Sequence, residues 1–199
     1  ECSAQASAPF AVQAQEECAG ALWALAADSS SNTKATMAKS GAIGLLMNQL
    51  TSLTTDKSEK NASGALSALA EKNTENAKLI AHNLATGLAG QSGKPAKAVR
   101  ILAATANFCG NGKLSQDVFA GEVGVFPSLV SYLKTPAKEV QLEAARVVFC
   151  LASNNATTQA SIGLNGCVPP LVKLLQSPLN KEAHGYAAAA LCNLAHDAG

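Results

Sequence analysis

The stretch GCVPPLVKLL at residues 166–175 decides the fold of this chain. It begins with a glycine that tolerates a sharp turn, continues with a proline pair suited to the first turn of a helix, and ends in an apolar helical stripe. The same order recurs as GVFPSLVSYL at 124–133 and as GAIGLLMNQL at 41–50. The step from 124 to 166 is 42 residues, and the step from 41 to 124 is 83, about twice as long. A further copy is therefore expected near Asn83, because asparagine can adopt the left-handed turn in place of glycine.

A second set of related segments lies between these turns. Its members are ALWALA, ALSALA, ATANFC, VVFCLA and ALCNLA, and they end at residues 26, 70, 109, 152 and 195. The steps between these ends are 44, 39, 43 and 43 residues. Two independent patterns with one period of helical units indicate a tandem repeat of the armadillo or HEAT type.

The turn-helix at 166–175 and the segment ALCNLA at 190–195 resemble armadillo repeats, and the resemblance extends from about residue 10 to residue 197. It implies an all-α fold, a right-handed superhelix of three-helix repeats. The third helices of that fold line a concave groove that binds other proteins, often as extended peptides. We predict one solenoid of about four and a third repeats, with a partial repeat at about 10–28 and whole repeats at about 29–72, 73–112, 113–154 and 155–197.

Several local expectations follow from the same pattern. Residues 1–9 are expected to be loose, and Phe10 to Ala27 is expected to be the third helix of a repeat that lacks its first two helices. On that basis we expect the chain to be part of a longer solenoid. The repeat at 73–112 is the weakest, because the segment LAGQSGKP at 88–95 is expected to cut its second helix short.

Composition and cysteine usage narrow the class of protein. The net charge of +1 gives no general attraction to nucleic acid or to anionic membranes. Since no apolar run reaches 18 residues, no insertion into a membrane is predicted. The six cysteines include no Cys-x-x-Cys pair. Four of them lie at repeat positions that otherwise hold alanine or other small residues, and they are expected to be small buried residues in a reducing compartment, the cytoplasm or the nucleus. Cys2 and Cys18 have no such explanation.

The sequence gives little support for catalysis. His82, His184 and His196 are not spaced to share a metal ion, and no phosphate-binding glycine loop or nucleophile motif occurs. Cys192 and His196 lie four residues apart and could touch, but nothing marks an oxyanion site beside them. We therefore predict a protein that is not an enzyme and that needs no metal or other cofactor.

The resemblance places the candidate binding residues on the third helices. Residues two, three, six and nine positions before the end of each segment share one helical stripe. Asn107 and Asn193 take the position where the family often has a groove asparagine, which could bind a peptide backbone or brace a neighbouring helix. The other candidates on the stripe are Trp23, Arg100, Glu143, Arg146, Phe149 and Tyr186.

Each of these other candidates has two possible roles. Trp23 and Phe149 could be interface anchors or could pack against the next repeat. Arg100 and Arg146 would favour acidic or phosphorylated groups, whereas Glu143 would balance them into a solvated face of mixed charge. The nuclear-import adaptors of the family repeat a tryptophan six positions before the segment end, and this chain does not, so recognition of basic nuclear-localisation peptides is not predicted.

The resulting prediction is a non-catalytic scaffold that binds an unidentified protein or peptide. Five third helices at ~10 Å spacing would hold about 12 residues of an extended chain. Two alternatives keep the fold and change the role. One is the substrate-recruiting region of a larger ubiquitin ligase assembly, and the other is an adaptor at a membrane or on the cytoskeleton.

Overall fold

The computed structural model describes residues 2–52, 55–91, 93–177 and 180–196, with the side chains of residues 2–11 and 196 excepted. Over these residues the chain forms twelve α-helices and no β-strand. The helices are α1 (Cys2–Ala27), α2 (Ser31–Lys39), α3 (Ala42–Thr51), α4 (Asp56–Ala70), α5 (Thr74–Ala89), α6 (Pro95–Cys109), α7 (Lys113–Ala120), α8 (Val125–Lys134), α9 (Lys138–Ala152), α10 (Ala156–Leu164), α11 (Val168–Gln176) and α12 (Lys181–His196). The all-α expectation is confirmed.

The glycine turns of the three repeated stretches each lie between a short helix and the helix that follows it. Gly41, Gly124 and Gly166 have φ angles of 90°, 83° and 75°, in the left-handed region where a side chain would be strained. They separate α2 from α3, α7 from α8 and α10 from α11. The expected positions of these turns are therefore confirmed.

The prediction of a fourth turn, at Asn83, is wrong. Helix α5 runs without a break from Thr74 to Ala89, and Asn83 lies within it. Of the described non-glycine residues, Lys72 and Asn154 are those with positive φ. A single stripe of buried residues explains the continuous helix, since its spacing alternates between three and four residues straight through position 83. The stripe consists of Ala77, Ile80, Ala81, Leu84, Ala85 and Leu88.

The beginning of the chain also differs from the expectation. Helix α1 starts at Cys2 instead of Phe10, so the segment expected to be loose is helical. Residues 2–9 are mostly alanine, serine and glutamine, and their single proline, Pro9, did not end the helix. The alanines favour helix, which outweighs the turn preference of the serines in this segment.

Contacts between residues divide the chain into two compact units, Glu1–Ile80 and Ala81–Gly199. In the first unit α4 packs along α1 and against α2 and α3. Its core includes the fully buried side chains of Leu46, Leu50, Leu66 and Leu69. In the second unit α9 lies between α6 and α12, with α8 and α10 also packed against it and α11 packed against α12. Phe108, Phe119, Leu102 and Leu129 are among its fully buried side chains.

Buried asparagines join corresponding helices one repeat apart. Asn73 Nδ2 donates to the carbonyl of Ser31, and Asn180 Nδ2 donates to the carbonyl of Lys138; both bonds are 2.9 Å long and span 42 residues. Asn76 Nδ2 donates 3.1 Å to the carbonyl of Lys34, again 42 residues away. A buried amide needs such partners to avoid a desolvation cost. The repeat period found in the sequence thus recurs in the hydrogen bonds of each unit.

Candidate functional site

In the second unit, α6, α9 and α12 share one partly exposed side, which we call the third-helix face. The opposite sides of these helices supply core residues such as Ile101, Val147 and Ala187. The residues of the third-helix face are each half-buried: Arg100, Ala103, Asn107, Glu143, Arg146, Phe149, Cys150, Tyr186, Ala189 and Asn193. The residues predicted from the sequence on α6, α9 and α12 are all among these half-buried residues.

Arg146 is the centre of a polar network on this face. Its Nη1 donates 3.1 Å to Oε2 of Glu143, one helical turn earlier on α9, and its Nη2 donates 2.5 Å to Oδ1 of Asn107 on α6. The side chains of Arg146 and Glu143 are 28% and 16% exposed. A partly buried ion pair of this kind is less screened by salt than a fully exposed pair. The guanidinium is therefore held in a fixed position between two helices.

Two aromatic rings occupy the other half of the face. Phe149 on α9 and Tyr186 on α12 have ring centroids 5.9 Å apart with an interplanar angle of 44°. This tilted geometry is within the range that aromatic pairs favour. Both rings keep part of their surface in contact with solvent. They form an apolar ledge between the two helices.

Asn107 and Asn193 both reach toward α9, from the helices on either side of it. Asn193 Nδ2 donates 3.3 Å to Oγ of Ser153, while Oδ1 of Asn107 accepts from Arg146. Arg146 and Ser153 are seven residues apart, two helical turns, so they lie on the same side of α9. The hydrogen bonds of a bracing role are present for both asparagines, and both residues are half-buried.

In the first unit, Trp23 on α1 packs against α4. A Cβ added at Gly64 would lie only 2.6 Å from Cε2 and 2.7 Å from Cδ2 of the indole. The ring therefore rests on the glycine backbone, and the tryptophan is half-buried. Beside it, Asn61 Nδ2 donates 3.1 Å to the carbonyl of Glu16, and Lys57 Nζ pairs with Glu17 at 2.7 Å. Packing between helices thus takes up one face of this candidate residue.

The cysteines fall into two groups. Cys109 and Cys167 are buried, as expected for small core residues, whereas Cys192 is exposed, contrary to that expectation. Cys18, for which the repeat pattern gave no explanation, is exposed as well. Burial raises the pKa of Cys109 well above its usual range and that of Cys167 to about 11. Burial also raises the pKa of Cys150, although the nearby Arg146 charge opposes the shift. At neutral pH these three thiols are protonated and therefore weak nucleophiles.

The two histidines whose side chains are described, His82 and His184, are bonded to neighbouring groups and are not part of a metal site. No group of three or more His, Cys, Asp or Glu side chains among the described residues could hold a metal ion. His184 Nε2 instead makes a 2.8 Å hydrogen bond with the carbonyl of Ser177, and His82 Nδ1 pairs with Glu122 at 3.1 Å. The His196 side chain, half of the considered Cys192–His196 pair, lies outside the described residues. No helix in the described residues has the length and apolar character to cross a membrane.

Two contacts of this region were not foreseen from the sequence. Tyr132 on α8 donates a 2.5 Å hydrogen bond from its hydroxyl to the carbonyl of Leu88, near the end of α5. Gly64 provides the space for the Trp23 ring. Tyr132 lies in the repeated stretch at 124–133, but no local pattern identifies its partner. For the second contact, the glycine in the middle of a helix was the available signal.

Comparison with known proteins agrees with this architecture. Residues 165–196 match the family model described as the armadillo/beta-catenin-like repeat. An engineered protein solved by the Northeast Structural Genomics Consortium is similar at 27% identity, with a TM-score of 0.63 over 92% of this chain and 74% of that one. A designed armadillo repeat protein in complex with the peptide (KR)4 is similar at 24% identity, with a TM-score of 0.63 over 90% of this chain and 74% of that one.

A natural protein shares the fold as well. The armadillo-repeats-only protein of Plasmodium falciparum is 20% identical, with a TM-score of 0.53 over 90% of this chain and 79% of that one. No protein with a curated description matches the chain significantly. The helical order, the glycine turns and these similarities define the class as an α-solenoid. Residues 165–196 match an armadillo repeat, and the fold is that of armadillo-repeat solenoids.

Proposed function

We propose that this chain is a non-catalytic scaffold that binds an extended protein segment along the third-helix face. The observation that carries the proposal is the position of Asn107 and Asn193. They stand on the two helices that flank α9, and both are half-buried on the same face. An asparagine side chain has a donor and an acceptor, which is what the backbone amides of an extended segment require.

The dimensions of the face suit a short extended segment. Neighbouring packed helices lie ~10 Å apart, so α6 and α12 are separated by about 20 Å. Extended chain rises ~3.3 Å per residue, and about six residues would cross the face. The designed armadillo repeat protein solved with the peptide (KR)4 supports peptide binding by this fold.

The aromatic and charged residues of the face supply the remaining contacts in this proposal. Phe149 and Tyr186 would pack against side chains of the bound segment, and Arg146 would pair with them electrostatically. Aromatic and arginine side chains are enriched among residues that dominate binding energy. Arg100 and Glu143 would complete the face at the other end of the stripe.

A double substitution tests the proposal directly. Random dodecapeptides displayed on phage are selected against the chain, and the affinity of a selected peptide is measured for Asn107→Ala/Asn193→Ala. Loss of two hydrogen bonds of about 1 kcal/mol each should weaken binding by at least about tenfold. Asn48→Ala/Asn165→Ala, which removes two exposed asparagines away from this face, is the control and should leave the affinity unchanged. Equal affinity in both double variants would show that the asparagines do not contact the peptide.

A further inference from the structure

We propose that the segment bound on the third-helix face carries an acidic side chain at Arg146 and, about three residues away, an aromatic or large aliphatic side chain on Phe149 and Tyr186. The inference rests on the proposed function and adds the chemistry of the ligand. It follows from three properties of the face, which are the unused donors of Arg146, the aromatic ledge, and the distance between them.

Arg146 has donors available for an anion. A guanidinium carries five N–H groups. Two of them are used, one by Glu143 and one by Asn107, which leaves three without a hydrogen bond to the described residues. Because the group is already fixed by these two bonds, binding a carboxylate costs little side-chain entropy. Arginine also pairs with carboxylates through two parallel hydrogen bonds, so it binds a carboxylate in preference to a neutral group.

A basic side chain of the ligand fits less well on the half of the face around Arg146. The Glu143 carboxylate is already paired with Arg146, and its side chain is less exposed than that of its partner, 16% against 28%. Arg100, on the neighbouring helix α6, adds a second positive charge to the third-helix face. A lysine or arginine of the ligand would have to displace an existing ion pair beside two like charges. An acidic side chain meets no such obstacle.

The half of the face between α9 and α12 favours an apolar side chain. Phe149 and Tyr186 form its ledge, with centroids 5.9 Å apart. Its neighbours on the stripe are Ala189, half-buried, and Cys192, exposed. None of these four residues is an Asp, Glu, Lys, Arg or His. Burying a large apolar side chain here removes apolar surface from water on both partners.

The separation of the two halves sets the spacing in the ligand. The Arg146 network joins α6 to α9, and the aromatic pair joins α9 to α12, so their centres are one helix spacing apart. That spacing is ~10 Å, and extended chain covers it in about three residues. The expected pattern is therefore an acidic residue and a large apolar residue about three positions apart.

The test is a selection of random dodecapeptides on phage against three forms of the chain: wild type, Arg146→Gln and Phe149→Ala. Wild type should enrich both elements of the pattern at the stated spacing. Arg146→Gln should lose enrichment of the acidic position and keep the apolar one, and Phe149→Ala should do the reverse. Lys173→Gln and Leu164→Ala, which change exposed residues of α11 and α10, should leave the wild-type pattern intact. A general loss of folding cannot produce two opposite losses, and far-UV circular dichroism of each variant checks its helicity.

The outcomes separate this inference from the proposed function. A selected peptide with the pattern should bind Arg146→Gln at least about tenfold more weakly, as expected for a lost charged hydrogen bond. Enriched peptides that depend on Asn107 and Asn193 but carry basic residues, such as the (KR)4 type, or no acidic position, would overturn the inference and leave the proposed function standing. Failure to enrich any peptide would overturn both.

Discussion

The guanidinium of Arg146 on α9 donates a 2.5 Å hydrogen bond to Oδ1 of Asn107 on α6, 39 residues earlier in the chain. This bond links two neighbouring third helices across the proposed binding face. It connects Asn107, which we propose binds the backbone of the ligand, to Arg146, which we propose binds an acidic side chain of the ligand. The two residues are not independent sites, because removal of either takes a hydrogen-bond partner from the other.

We expect the stability effects of these two residues to be non-additive. Asn107→Ala and Arg146→Gln, alone and together, should give a coupling free energy of about 1 kcal/mol, in the range for groups that share a hydrogen bond. Urea unfolding monitored by circular dichroism measures it. Asn193→Ala combined with Arg146→Gln is the matched control, since Asn193 bonds Ser153 instead, and its effects should add. A zero coupling for the first pair would mean that the Arg146–Asn107 bond does not persist in solution.

Gly64 should be intolerant of alanine because the Trp23 ring occupies the space of its Cβ. Displacing the ring should shift the fluorescence of Trp23, the single tryptophan of the chain, toward longer wavelength. The overpacking should lower the free energy of unfolding by about 1–3 kcal/mol. Gly44→Ala, in α3 of the same unit with no atom within 4 Å of its Cβ, is the control and should be neutral or stabilising. Identical emission spectra for the two variants would contradict the packing of Trp23 on Gly64.

The hydroxyl of Tyr132 should contribute to the stability of the second unit. Tyr132→Phe removes the bond to the Leu88 carbonyl, which still accepts a 3.2 Å hydrogen bond from the Gln91 amide. The expected loss is therefore that of one net hydrogen bond, about 0.5–1.5 kcal/mol in the free energy of unfolding, measured by denaturant titration. Tyr186→Phe, which removes a hydroxyl from a half-buried ring instead, serves as the comparison and should cost less. Similar costs for both would argue against the Tyr132–Leu88 bond.

The thiols should react with iodoacetamide in the order of their exposure. Cys18 and Cys192 should be alkylated first, Cys150 more slowly, and Cys109 and Cys167 only on unfolding. The thiolate is the reactive form, and burial raises the pKa of the last three residues. Peptide mapping by mass spectrometry gives the rate at each site. Fast labelling of Cys167 in the native chain would contradict its burial.

The same pKa shifts predict a loss of stability in alkaline solution. In the unfolded chain these thiols ionise near their ordinary pKa of 9.0, whereas Cys167 in the folded chain ionises at about 11. Between these values the unfolded state binds fewer protons, so the free energy of unfolding falls as pH rises. Urea midpoints measured from pH 8 to pH 11 should decline, and Cys167→Ala should decline less steeply. Parallel declines would show that this thiol does not contribute.

Much of the fold followed from local sequence, because each glycine turn is decided by a few adjacent residues. Gly41, Gly124 and Gly166 were located in this way, and all three have positive φ. The prediction of a turn at Asn83 was wrong because it relied only on the repeat period of about 42 residues. At this position the helical spacing of the buried residues continues without a break. That spacing, visible in the sequence from residue 77 to 88, predicts one helix.

The candidate site could be predicted only in part. The distance of each residue from the end of its repeat segment placed Asn107, Arg146, Phe149 and Tyr186 on equivalent sides of their helices. This was possible because helical periodicity determines which residues of a helix share a side. The partners of each residue could not be predicted in the same way. The bond between Arg146 and Asn107 spans 39 residues, and it depends on the relative height of two helices, which no local pattern specifies.

The location of a bound peptide tests the central claim most directly. A peptide selected on the wild-type chain is titrated into isotopically labelled protein, and backbone and side-chain amide resonances are followed by NMR. The account predicts that the largest shifts fall on α6, α9 and α12, including the side-chain amides of Asn107 and Asn193. Shifts confined to α7, α8, α10 and α11, with the two asparagine amides unmoved, would contradict it.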